Sequence, residues 1–367
     1  MKNILVVFTG GTIGSTASEG TIDTSSAAPF KLIQQFQQHY KNHQQIHFST
    51  IQPLRILSEN LAPCVWQTLI VAIEAQQPDQ YDGVIITHGT DTLAYTAAAL
   101  SFYFNALKIP MLLVSSDYPL DDPRANGLEN FTCAVEFILQ DIQAGVFVPY
   151  RNQQHITQVH RGPRLASSLQ LSGDFFSVQG KSFVQFENQA FTQLNPSTKT
   201  LLSDNSNKPS LHLEMLAQSG VEGIGVKEII QIKIPCIKAN FSERILMIKP
   251  YPGLNYTHFN LENADAVLHD LYHSGTACAS AQWGKDYSLL EFIKRCGEQN
   301  IKVYLAPAIQ SLDAYQSTRA LIEQGAEMIW NMSIEAAYVK LMLAYGNFSD
   351  EQQRGEFIDL DIAGEHV

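Results

Sequence analysis

Short apolar runs alternate with longer amphipathic segments along this chain, and most of the runs end in a glycine-rich or small polar turn. The pattern predicts an α/β protein of two domains, a larger N-terminal doubly wound parallel sheet and a smaller C-terminal α/β domain. Three observations carry the prediction. Strand, turn and helix repeat through the first half, as parallel strands joined by crossover helices require. The 367 residues exceed what one hydrophobic core usually serves. Periodicity degrades between about residues 191 and 238 and then resumes. The expected division is therefore 1–190, a linker with an insertion at 191–240, and 241–367.

Ile4 to Phe8 reads as a buried strand that ends in Thr9-Gly10-Gly11. Gly83 to Thr87 reads as a second, followed by His88-Gly89-Thr90-Asp91-Thr92 and a helix over Leu93 to Leu107 that is apolar on nearly all sides. Met111 to Ser115 is a third strand and Leu128 to Gln140 another helix. The polar, turn-rich stretches Asn195 to Lys199 and Ser203 to Pro209 mark the insertion. Strand-like runs return at Arg244 to Ile248, Ala266 to His269, Lys302 to Ala306 and Glu327 to Trp330, with helices at Ser288 to Gln299 and Ser333 to Tyr345. No repeat of fixed period is present.

Composition narrows the function classes. With 45% apolar and 16% charged residues the chain can bury a sizeable core. A net charge of −12 repels phosphate backbones and anionic membranes, so no nucleic-acid partner is expected. No run of about 18 apolar residues exists, so no membrane span is expected. The N-terminal apolar run is too short for a signal peptide, which predicts a cytoplasmic protein. Cys64, Cys133, Cys236, Cys278 and Cys296 are scattered and odd in number, without CxxC spacing. They read as reduced thiols, and neither a metal nor a cofactor is expected.

In open parallel sheets ligands bind beyond the carboxyl ends of strands. Two polar clusters stand there. Thr9-Gly10-Gly11-Thr12-Ile13-Gly14 lets the backbone turn sharply and present N–H groups to an anion or a developing oxyanion, with the Thr12 hydroxyl beside them. Read alone, such a turn after a strand is more often only a tight connection, and it does not match GxGxxG. His88-Gly89-Thr90-Asp91-Thr92 sets a hydroxyl beside a carboxylate that can hold an ammonium group or orient a water. Its plain alternative is an N-cap for the helix beginning near Leu93.

Together, in this order and spacing, the two motifs resemble the asparaginase family, over nearly the whole chain. Ala99-Leu100-Ser101-Phe102, Pro119-Leu120 with Arg124 and Asn126-Gly127, Tyr251-Pro252-Gly253, and Glu335-Ala336 with Lys340-Leu341 are further matches, the later ones to its cytoplasmic bacterial type. The resemblance implies a homodimer or homotetramer of two-domain subunits, with active sites near subunit contacts. It implies hydrolysis of the side-chain amide of L-asparagine to the acid and ammonia. Thr12 would be the nucleophile, and Thr90 with Asp91 the second catalytic group, Asp91 also receiving the substrate's α-ammonium. Ser58 and Glu59 would clamp the amino-acid substrate with Gly11 and Gly89. Glutamate at the position of Glu59 occurs in members that also use glutamine.

The chain departs from the family pattern in four places. The lysine expected after an Arg-Gly-x-Arg segment is replaced: Arg161-Gly162-Pro163-Arg164 is followed by Leu165-Ala166-Ser167, and Ser167 takes its position. The lid segment Ser15 to Thr24 has no tyrosine, and Thr21 is its nearest match. Gly275-Thr276-Ala277-Cys278 replaces a Gly-x-Gly-Asn loop, and Asn126 stands where aspartate is common. Since a threonine hydroxyl needs a base or relay to react, two function classes stay open. One is an amidohydrolase. The other is a degenerate homologue that binds a small amino acid without efficient hydrolysis.

Overall fold

The computed structural model describes residues 1–18, 21–24, 28–153, 155–193, 235–311 and 313–367, with side chains described outside 14–30. Its larger sheet has eight strands: β1 (Lys2–Phe8), β4 (Ile46–Ile51), β5 (Gly83–Thr87), β6 (Pro110–Val114), β7 (Gly145–Tyr150), β8 (Thr157–Arg161), β9 (Val184–Glu187) and β10 (Ala190–Thr192). Their order is β10-β9-β8-β7-β6-β5-β1-β4. The five strands β7 to β4 pair in parallel, and β8, β9 and β10 add antiparallel pairs at one edge. The parallel centre agrees with the sequence reading. The antiparallel edge departs from it, because its strands are short and mix polar with apolar residues. A small hairpin, β2 (Ser15–Ser18) with β3 (Thr21–Thr24), follows β1.

Alternation along the central strands drives the double winding. Ile4, Val6, Phe8, Ile85, Leu112 and Val114 meet helices α1 (Ala28–His39) and α4 (Gly127–Leu139) on one face. Leu5, Val7, Val84, Ile86 and Leu113 meet α2 (Pro63–Glu74) and α3 (Leu93–Tyr103) on the other. The four-stranded sheet β11 (Ile245–Ile248), β12 (Ala266–Asp270), β13 (Lys302–Ala308), β14 (Glu327–Trp330) is fully parallel. Helices α5 (Leu289–Gly297) and α6 (Gln316–Glu323) cover one of its faces.

Helix α7 (Ile334–Asn347) covers the other face and packs against α3, so one core joins both sheets. This explains the all-round apolar character of α3, whose residues from Leu93 to Phe102 are buried except for half-buried Tyr95. Lys340 of α7 is fully buried there, 2.6 Å from Glu365, with its Nζ 5.6 Å from the Phe102 ring centre. Helix α8 (Glu351–Asp359) precedes the tail that carries Glu365. Of the expected insertion, residues 194–234 lie outside the described residues. No helix among the described residues is long and apolar enough to cross a membrane.

Candidate active site

The chain runs from β1 outward to β4 and returns to β5 on the other side of β1. The sheet's winding therefore reverses between β1 and β5, the crevice where open α/β sheets receive ligands. Phe8 is in register with Thr87, so the two glycine turns leave neighbouring strands at one level. Thr9 locks them: its N–H donates to Thr87 Oγ1 at 3.3 Å and its hydroxyl to Thr87 O at 2.5 Å.

The turns touch through backbone. A side chain on Gly11, whose φ is +75°, would start 2.6 Å from Gly89 Cα, and one on Gly89 would start 2.7 Å from Ser58 Cβ. No other residue type fits either place without displacing the neighbour. Gly11 N–H donates to Ile56 O at 3.1 Å, and Ile56 N–H to Thr9 O at 2.8 Å, which ties in the segment leading to Ser58. Gly11, Gly89 and Ser58 are thus brought together, with Thr12 half-buried at the head of the Thr12–Gly14 turn.

Ser58 is buried, and its hydroxyl donates to Asp91 Oδ2 at 2.9 Å while accepting from the Asp91 N–H at 3.2 Å. Thr92 Oγ1 donates to Ser58 O at 3.0 Å. The N-cap alternative does not hold, for α3 has no side-chain cap. Thr90 is half-buried, while Asp91 and Glu59 are exposed. None of the ion pairs among the described residues involves Asp91.

His88 is fully buried beneath the second turn, and burial lowers its pKa to about 4 against the opposing pull of the Gly89 carbonyl and Asp91. A neutral ring with its proton on Nδ1 fits the Gly89 O at 2.7 Å. Ser115, after β6, donates its hydroxyl to His88 O. Beside it Asp117 N–H donates to Asn126 Oδ1 (3.0 Å) and Asn126 N–H to Asp117 Oδ1 (3.1 Å), while Asn126 Nδ2 donates to Arg151 O (2.8 Å). That last bond needs an amide, since an ionised aspartate has no proton to give. Ser115 and Asp117 were missed from sequence, although Ser-Ser-Asp after the strand Pro110–Val114 repeats the strand-then-polar signal of the other two turns.

Ser167 lies in the loop after β8, and its N–H donates to Glu335 Oε1 at 2.8 Å. Thr21 opens strand β3, but its side chain lies outside the described residues. In the second sheet Gly275, at φ +71°, closes a turn with its N–H on Tyr272 O at 2.7 Å, and Thr318 Oγ1 holds the Gly275 carbonyl at 2.8 Å. The described residues contain no group of three or more His, Cys, Asp or Glu able to hold a metal.

A family model, the N-terminal domain of asparaginase, matches residues 3–195. This chain belongs to the asparaginase family. Among curated relatives, the D-type subunit of glutamyl-tRNA(Gln) amidotransferase from Methanococcus maripaludis is 27% identical over 373 residues, which cover all of this chain and 81% of that protein. Its namesake from Thermoplasma acidophilum is 25% identical, covering all of this chain and 83% of the relative. Among solved structures, the thermostable L-asparaginase from Thermococcus kodakarensis aligns with a TM-score of 0.74 at 24% identity, covering 100% and 99% of the two chains. L-asparaginase I from Vibrio cholerae gives 0.72 at 24%, with the same coverage. These structures share the two-domain fold; the family match identifies an asparaginase-type amidohydrolase.

Proposed function

We propose that this chain hydrolyses the side-chain amide of L-asparagine, with glutamine as a second substrate, through a threonine nucleophile. The observation that supports the reading is the close backbone approach of Gly11 to Gly89 at the winding reversal, since Thr12 follows the first glycine in sequence and Thr90 and Asp91 follow the second. Thr12 Oγ attacks the amide carbon, and backbone N–H groups of the glycine turns stabilise the oxyanion. The C–N bond then breaks, the threonine's proton leaves with ammonia, and water cleaves the resulting ester to return the Thr12 hydroxyl. Asp91, oriented by Ser58, takes the α-ammonium, and the Ser58–Glu59 segment takes the α-carboxylate.

A coupled ammonia assay with asparagine and glutamine side by side tests the reading. Release from either supports it, and release from neither, with the protein folded, refutes it. Glutamine turnover exceeding asparagine turnover favours use of the same site in amide transfer, as the names of the amidotransferase relatives suggest. Ser167 supports a second reading, binding without turnover, because no lysine stands at its position. That reading expects aspartate to raise the melting temperature by mass action while no ammonia appears.

The proposal extends to a cytoplasmic homodimer or homotetramer. Five free thiols fit a reducing compartment; fractionation of cells that finds the protein in an oxidising compartment would refute this. Tyr251, Tyr272, Ile309 and Tyr315 stand exposed beyond the carboxyl ends of β11, β12 and β13, an apolar band suited to a second copy. Sedimentation equilibrium is expected to give a dimer or tetramer that Ile309→Asp with Tyr315→Lys weakens. A monomer at micromolar concentration contradicts it.

A further inference from the structure

The loop that carries Ser167 lies against the helix that begins at the catalytic turn. Tyr95 comes four residues after Asp91, one turn along α3. Its phenol stands beside the Ser167 side chain. On the other side the Ser167 N–H donates to Glu335 Oε1, across 168 positions of sequence. Glu335 is 5% exposed and has no ion pair among the described residues. It lies in the first turn of α7, where a carboxylate is favoured by the helix dipole. That role alone does not account for its contact, because Ser333 caps this helix by accepting from the Ala336 N–H. The Glu335 oxygen is directed instead at another element. The Tyr95 and Tyr338 rings, 6.1 Å apart and perpendicular, fasten α3 to α7 beside it. Burial, and then the charge of Glu335, push the Tyr95 phenol well above its ordinary pKa, so it stays a neutral hydroxyl.

We propose that Glu335 is a positioning residue for the amide-hydrolysis site: it holds the Ser167 amide, and the Ser167 side chain beside Tyr95 transmits that hold to the wall one turn from Asp91. This rests on the amidohydrolase reading above. Glu335 and Tyr95 do not touch the reacting atoms. They fix the loop at a place where no lysine bridges loop and turn.

Three variants of the full chain test this. Glu335→Ala removes the acceptor of the Ser167 N–H, Glu335→Gln keeps an oxygen in its place, and Tyr95→Phe removes only the phenol. Hydrogen exchange of the peptide spanning 165–168 is expected to be slow in the wild type and in Glu335→Gln and fast in Glu335→Ala. With asparagine, kcat is expected to fall about tenfold to a hundredfold in Glu335→Ala while KM changes little, since sub-ångström misplacement acts on the chemical step. Glu335→Gln should recover most of that loss, and Tyr95→Phe should lower kcat about tenfold with the amide still protected. Wild-type exchange and wild-type kcat in Glu335→Ala overturn the proposal; if that variant does not fold, an unchanged kcat in Tyr95→Phe does so. Should the wild type hydrolyse no amide, the functional reading fails separately. Exchange then decides the Glu335–Ser167 contact, and aspartate affinity, weakened in Glu335→Ala or not, decides its effect on the site.

Discussion

Thr12→Ala is expected to lower ammonia release from asparagine by about 10³-fold or more, because the variant has no group in the turn to form the ester. The substitution removes one half-buried hydroxyl from a three-residue turn, so its effect on stability is expected to stay within about 1 kcal/mol. Loss of activity at an unchanged melting temperature would therefore report chemistry. Aspartate should still bind, since Asp91, Ser58 and the glycine turns are untouched. An unchanged rate would remove Thr12 from the mechanism. Thr90→Val should also lower the rate, and the double variant should lose no more than Thr12→Ala alone, as expected when two groups act as one unit.

The largest stability effect is expected at Lys340. This ammonium is fully buried against Glu365, the Leu360 carbonyl and the Phe102 ring. Lys340→Met keeps the volume but strands the Glu365 charge, which costs about 3–5 kcal/mol and lowers the melting temperature by about 5 °C. Adding Glu365→Gln should recover part of the loss and not all of it. The Glu365 carboxylate also accepts from the Ile362 and Ala363 N–H groups, and one amide oxygen cannot serve both as well. If the single and double variants melt alike, the pair is not the source of the effect.

The same cluster sets a pH dependence. Burial raises the Glu365 pKa, but the Lys340 charge and the Asp361 hydrogen bond outweigh it and hold it at about 2. Its stabilising contribution is therefore full above its ordinary value of 4.5 and is lost as pH falls toward 2. Asp361 runs the other way. Burial, and then the Glu365 charge, raise it to about 6, so ionising it costs stability as pH rises from 3.8 through that value. Arg164 donates to Gly364 O and His366 O, so the tail that these groups fasten is also joined to the loop ahead of Ser167.

What could be read in the sequence was local. The Thr-Gly-Gly-Thr and His-Gly-Thr-Asp turns each follow an apolar strand, and the strand-end rule alone makes them candidates; register then showed them on adjacent strands. The apolar circumference read over Leu93 to Leu107 corresponds to a helix buried on nearly all sides, although α3 ends at Tyr103. What was not legible depended on distant pairs. The Ser58 hydroxyl on Asp91 spans 33 positions and the Glu335 oxygen on the Ser167 amide spans 168, and neither leaves a periodic trace. Read alone, Ser58-Glu59-Asn60 is a helix-entry loop before Pro63; in the fold its Ser58 hydroxyl meets Asp91 and its Ser58 carbonyl accepts from Thr92, the residue at the N-cap position of α3. The antiparallel edge β8 to β10 escaped for another reason. Val-Gln-Phe-Glu and Ala-Phe-Thr are too short to separate from turn sequence without the strand they pair with.

The central claim is a covalent ester on Thr12, and capture of that ester by hydroxylamine tests it most directly. With asparagine and rising hydroxylamine, the wild type is expected to form the β-aspartyl hydroxamate at the expense of aspartate, and Thr12→Ala is expected to form neither. Ammonia release without hydroxamate at any hydroxylamine concentration, or equal hydroxamate from Thr12→Ala, would contradict it.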